Sequence, residues 1–160
     1  ATVTRVLPNT VEVHISERTP IAVWLHDTGA TLVDAEGRQL ARVAPSTLPA
    51  LPRIAGAGAP EAAGTLVAAL ASFPDIARRV TVSTRVGQRR WNLHLDSGVV
   101  IALPEEGIGE ALAAAEKLDA ESGLFGKGVS VIDLRVPGRT VVRPALQAEG
   151  TEEVKVSRRQ

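Results

Sequence analysis

The residues best placed to do chemistry in this 160-residue chain are three histidines, a few carboxylates and two glycine-rich stretches. His14 and His94 fall on the polar side of alternating runs, where an imidazole is ordinarily solvated, and His26 closes a short apolar run. His94 and Asp96 share a strand face, but two ligands without a third make a poor metal site. Ser97 follows closely, with no base and orienting group arranged to activate it. Gly56-Ala57-Gly58 lacks the lysine and the strand-to-helix setting of a phosphate loop. Gly126 and Gly128 bracket Lys127 as a turn would. Glu105 and Glu106 are expected to open a helix, where carboxylates suit the positive end of the dipole. With no Cys there is no thiolate nucleophile, disulfide framework or thiolate metal site. The expectation is a non-enzyme without cofactor or metal.

Composition narrows the partners. Hydrophobic residues make up 44% and charged residues 22%, which places the chain among globular proteins. Aromatics are 2%, so Val, Leu, Ile and Ala must build the core around Trp24, Phe73, Trp91 and Phe125. The formal net charge is zero, which removes the simplest argument for nucleic acid. Charge is segregated nonetheless. Arg78, Arg79, Arg85, Arg89 and Arg90 form a basic run, and Glu105, Glu106, Glu110, Glu116, Asp119 and Glu121 follow with only Lys117 against them. Either these are solvated faces or the basic run meets an acidic partner. Single-stranded nucleic acid wants exposed aromatics among the cations, and Trp91 faces inward by alternation. No apolar run approaches the roughly 20 residues of a membrane span. No signal peptide is present, and the chain opens at Ala1 directly in a strand-like run, as an excised fragment would.

The elements that must position these residues follow from the pattern. Val3–Val6, Val11–Ile15, Ile21–His26, Thr31–Val33 and Gln39–Val43 read as strands, the last two as a hairpin with Gly37 at a positive φ. Residues 44–60, rich in proline and glycine, read as a long surface connection. Glu61–Phe73 is a helix ended by Pro74. Val80–Val86, Arg90–Leu95 and Val99–Leu103 form a meander, and Glu106–Ala120 a second helix. Val129–Val136 and Thr140–Arg143, parted by Pro137-Gly138, close the patterned part. Antiparallel strands broken by two helices point to an α+β fold, an antiparallel or mixed curved sheet flanked by those helices. The last strand should lie at an edge, where unpaired backbone groups can accept another chain. Pro137-Gly138 suits a type II turn, which matches hairpin twist poorly, so the connection is expected to exceed two residues.

Several motifs in order resemble the bacterial cell division protein family FtsQ, also called DivIB. RVLPNTVEVHISERTPIAVW is similar to the final strands of that family's POTRA domain and the hinge into its β domain. LVDAEG, LPRIAG, a helix, RRWNLHLDSGVVIAL, a second helix and VIDLR follow the β domain in sequence. The likeness runs from about Thr4 to Arg143. It implies that residues 1–19 end a POTRA domain and 20–143 form the β domain; 144–160, of mixed charge and without sustained periodicity, are expected to be a disordered tail. It further implies a single-pass inner-membrane protein at the septum, anchored by an N-terminal helix absent here, with its bulk in the periplasm.

Such a protein is a non-catalytic divisome scaffold. It holds the FtsB–FtsL pair and helps regulate septal peptidoglycan synthesis by FtsW–FtsI. In the family, FtsB adds a strand to the last β-domain strand. The implied partner site is then Arg135, Val136, Gly138, Arg139, Thr140, Val141, Val142 and Arg143, with Arg89 or Arg90 as a second arginine for an acidic segment. Val136 and Arg143 stand where family members carry aromatics, so those anchors do not transfer. The alternative, in the compartment the resemblance implies, is a periplasmic peptidoglycan-binding or cell-wall-active module, which needs an exposed aromatic cleft or carboxylate pair. A POTRA-type outer-membrane assembly factor would account for only about the first twenty residues.

Overall fold

Short β-branched runs and two Ala-rich helices organise the chain around one nine-stranded sheet. The computed structural model describes residues 2–6, 10–14, 17–126 and 128–145, the first two segments as backbone alone. Strands β1 (Thr2–Val6) and β2 (Thr10–His14) form a separate antiparallel pair. Then come β3 (Ala22–His26), β4 (Gly29–Val33), β5 (Gln39–Val43), β6 (Arg53–Ala55), α1 (Ala59–Ala71), α2 (Pro74–Ala77), β7 (Val80–Val86), β8 (Arg90–Leu95) and β9 (Val100–Ala102). Helix α3 (Ile108–Ser122) precedes the closing hairpin β10 (Val129–Val136) and β11 (Arg139–Pro144). The sheet order is β11-β10-β9-β8-β7-β6-β3-β4-β5.

The fold is α+β, and the sheet is mixed. Pairs β3–β6, β6–β7 and β9–β10 are parallel and the rest antiparallel. Parallel neighbours need a crossover, which α1 and α2 supply between β6 and β7, and α3 between β9 and β10. Strand β6 corrects the reading of 44–60 as a plain surface connection. Three residues are too few to alternate visibly, yet Ile54 is fully buried and joins β3 to β7. Helix α1 starts two residues earlier than the pattern suggests because Gly58, in the left-handed region, begins it. Pro74 ends α1 but also opens the one-turn α2.

Side-chain alternation sorts the sheet into two faces. Val142, Ile132, Ile101, Leu93, Ser83 and Ile54 form one cross-strand row. All but Val142 are buried in the core with Leu66 and Leu70 of α1 and Leu112 of α3. Trp91 and Phe125 are its largest fully buried side chains. At β11 the row leaves the core, and Val142 is 39% exposed.

Close backbone approach fixes α1 against the β4–β5 turn. A methyl group at Gly64 would lie 2.4 Å from the carbonyl oxygen of Ala35. Alanine favours a helix over glycine by about 1 kcal/mol. Overpacking against backbone costs about 1–3 kcal/mol. Gly64→Ala is therefore expected to lower the denaturant midpoint, the reverse of a surface helix, as chemical unfolding will show. At Gly56 the same constraint comes from the Arg85 carbonyl oxygen, 2.5 Å from such a methyl. That packing demand accounts for a glycine the phosphate-loop comparison could not.

Candidate functional site

Strand β11 is exposed along all six residues and stands at one end of the sheet. Its inner side is paired with β10, Asp133 opposite Val141 and Val131 opposite Arg143. The Ala145 N–H donates to the Gly128 carbonyl at 2.6 Å, which turns the backbone of odd-numbered residues toward β10. By the two-residue period, the N–H and C=O groups of Thr140 and Val142 point outward. Pro144 lacks an N–H and is confined to edge positions like this one. The strand thus reaches Pro144, which corrects the tail boundary expected at that residue. Residues 146–160 lie outside the described residues.

The hairpin turn also differs from expectation. Val136 pairs directly with Arg139, so the loop is Pro137-Gly138 alone, with Gly138 at φ 72°. The register shifts by one residue between Asp133 and Val136. An extra residue on β10 adds local twist, which lets an unfavourable turn close a tight hairpin.

On the face away from the helices, β8, β10 and β11 bring Arg90, Arg135, Arg139 and Arg143 around two adjoining hollows, with Asp133 their only carboxylate among the described residues. Arg135 is already engaged. Its Nε donates to Asp133 Oδ1 at 2.8 Å and its Nη2 to Oδ2, a fork in which the Asp133 side chain is 13% and the Arg135 side chain 40% exposed. The Arg135 backbone N–H also donates to Oδ1. Asp133 was not expected from the sequence, although its place two residues before Arg135 puts both on one strand face.

The linear basic run does not form this patch. Arg78 pairs with Asp75. Arg79 reaches Asp96, Asp119 and the Phe125 carbonyl and lies over the Phe125 ring. Arg85 stacks on Trp91 and donates to Gln88 O. Arg89 sits in the exposed β7–β8 turn and lines neither hollow, so only Arg90 joins Arg135. On the opposite side of the hairpin, Leu134 and Thr140 face the first turn of α3, and Val136 and Arg139, paired beside the turn, border both sides.

The other chemical candidates separate. His94 Nε2 lies 3.2 Å from Thr84 Oγ1. His26 bonds Thr31 and Thr28 through its two ring nitrogens. The His14 side chain lies outside the described residues. Glu105 and Glu106 precede α3, which begins at Ile108 after Gly107.

Two carboxyls are held below their ordinary value of 3.8. For Asp133 the main cause is the Arg135 side-chain hydrogen bond; burial, the next largest influence, acts upward and is outweighed by that bond together with the Arg135 amide and the nearby arginine charges. For buried Asp34, burial is the largest influence and acts upward. Hydrogen bonds from the Arg38 and Glu36 amides and from Arg18 together outweigh it. A depressed folded value means the unfolded chain takes up the proton first. This stabilisation is present above 3.8 and is lost as the pH falls through the depressed values. Thermal unfolding followed from neutral to strongly acidic pH is expected to show this loss, with a flatter acid limb for Asp34→Asn.

The model for the C-terminal part of cell division protein FtsQ/DivIB matches residues 22–135. The chain belongs to the FtsQ/DivIB family. FtsQ of Rhizobium radiobacter is 38% identical over 139 residues, which cover 87% of this chain and 66% of that protein. FtsQ of Caulobacter vibrioides strain NA1000 is 38% identical over 144 residues, 90% and 48% of the two. FtsQ of Rickettsia conorii is 39% identical over 134 residues, 83% and 49%. The chain thus spans from about half to two thirds of the length of these FtsQ relatives. The major extracytoplasmic domain of DivIB from Geobacillus stearothermophilus superimposes with a TM-score of 0.49 at 17% identity, over 68% of this chain and 96% of that one. The FtsQ/DivIB match ends at Arg135, so β11 lies beyond the matched range.

Proposed function

We propose that this chain is the partner-binding part of a non-catalytic division scaffold. In this reading the FtsB member of an FtsB–FtsL pair adds a β-strand to β11. The scaffold thereby helps regulate septal peptidoglycan synthesis by FtsW–FtsI. The observation that carries the proposal is the exposed β11 edge, with the outward backbone groups of Thr140 and Val142. Backbone pairing supplies affinity in strand addition, and neighbouring side chains supply selectivity. Here selectivity rests on Arg90, Arg135, Arg139 and Arg143, which suit an acidic segment.

The exposed Val136 and Arg143 replace aromatic anchors, so backbone pairing and charge carry a larger share of recognition. Strands β1 and β2 would be the last of a POTRA domain, and the whole protein a single-pass inner-membrane protein with this part in the periplasm. A cell-wall-binding module would need several aromatics or a carboxylate pair in an open cleft, whereas Trp91 and Phe125 are buried in the core and the hollow lined by half-buried Trp24 holds a single carboxylate, Asp27. Co-purification of the complete periplasmic region with candidate FtsB segments tests the reading. Capture is expected, and failure of every segment to bind contradicts it.

A further inference from the structure

Strand β11 divides two surfaces whose charge balance is opposite, with Arg139 at the turn bordering both. The face away from the helices carries four arginines against Asp133. On the helix side, a groove of about 500 Å³ runs between the start of α3 and the hairpin. Ala111, Leu134 and Val136 line it, Glu106 and Glu110 stand beside them, Arg139 borders it as well as the arginine face, and Val136 is 58% exposed. Among the described residues neither glutamate has an ion-pair partner. A strand added to β11 would lie about 4.8 Å beyond it and send alternate side chains to the two sides.

Building on the edge-binding reading above, we propose that this groove receives a lysine or arginine of the partner strand. Its aliphatic stem lies on Val136 and its cationic head meets Glu106 and Glu110. The edge then selects a strand in which such cations alternate with carboxylates. A slip of one residue would turn every side chain to the wrong side, carboxylates against glutamates and cations against arginines. Opposite charge on the two sides therefore fixes the register, which backbone pairing alone leaves open.

Two capped heptapeptides of equal composition test this on the whole chain: Val-Glu-Lys-Glu-Val-Glu-Lys, and the blocked order Glu-Glu-Glu-Val-Lys-Val-Lys. The alternating peptide is expected to bind about tenfold tighter, the weight of one close interfacial charge pair. The exposed pair Glu106→Lys with Glu110→Lys should abolish that preference, and replacing both peptide lysines with glutamate should restore binding to this variant. Equal affinities on the unaltered chain, a preference that survives the charge reversal, or no binding by either peptide overturns the groove proposal. Val142→Pro separates the two readings. If it abolishes binding while the peptides remain indistinguishable, the edge stands and the groove falls. If the alternating peptide binds it undiminished, the edge is not the site.

Discussion

Replacing Val142 with proline is expected to abolish binding of an FtsB segment while leaving the thermal transition of the domain nearly unchanged. The Val142 N–H points away from β10, so its removal breaks no bond within the sheet. The side chain is already 39% exposed, and proline is tolerated on an edge strand that contains Pro144. On the outer side the consequences are severe. The incoming strand loses a donor and is left with a desolvated, unpaired carbonyl, at about 1–3 kcal/mol. That alone is about 5- to 150-fold in affinity, before the ring obstructs the approaching backbone. Val141→Pro makes the contrast. Its backbone faces Asp133 on β10, so this variant should lose stability in thermal unfolding as well as binding. Calorimetric titration of both variants checks the pair, and wild-type affinity for Val142→Pro contradicts it.

Arg135→Glu is expected to weaken binding of an acidic segment about a hundredfold or more, because like charges brought together at an interface cost several kcal/mol. The substitution removes a guanidinium held in place by Asp133 and sets a second carboxylate on the same strand face. Arg90, Arg139 and Arg143 remain, but they then face two anions in place of one. Arg135→Lys should recover part of the affinity, since an ammonium supplies charge without the two-pronged geometry. Titrations at low and high salt check this. The wild type should lose affinity with salt more steeply than Arg135→Glu, and equal affinities and salt slopes for the two contradict the role of the arginine.

Local pattern carried most of the architecture. Alternation in RRWNLHL places Trp91, Leu93 and Leu95 in the core, and the α1 and α3 stripes place Leu66, Leu70 and Leu112 beside them. What eluded it is what pairing at a distance decides. Strand β6 exists because Ile54 fits between β3 and β7, a fact absent from the three residues themselves. The turn at Pro137-Gly138 is tight because a bulge upstream corrects its twist. The cationic patch gathers arginines from β8, β10 and β11, while the contiguous basic run is dispersed to Asp75, Asp96, Asp119 and Trp91. The edge position of the last strand was legible from chain order. The hold of Asp133 on Arg135 needed only the two-residue period. The groove beneath α3 needed the crossover that brings Glu106 and Glu110 over the hairpin.

The most direct measurement is amide hydrogen exchange across β11 with and without an FtsB segment. A strand added at this edge must bond the outward amides, so Thr140 and Val142 are expected to slow markedly on binding, while Val141 and Arg143, already turned toward β10, change little. If the segment binds and the amides of Thr140 and Val142 exchange as fast as before, β11 is not where the partner pairs.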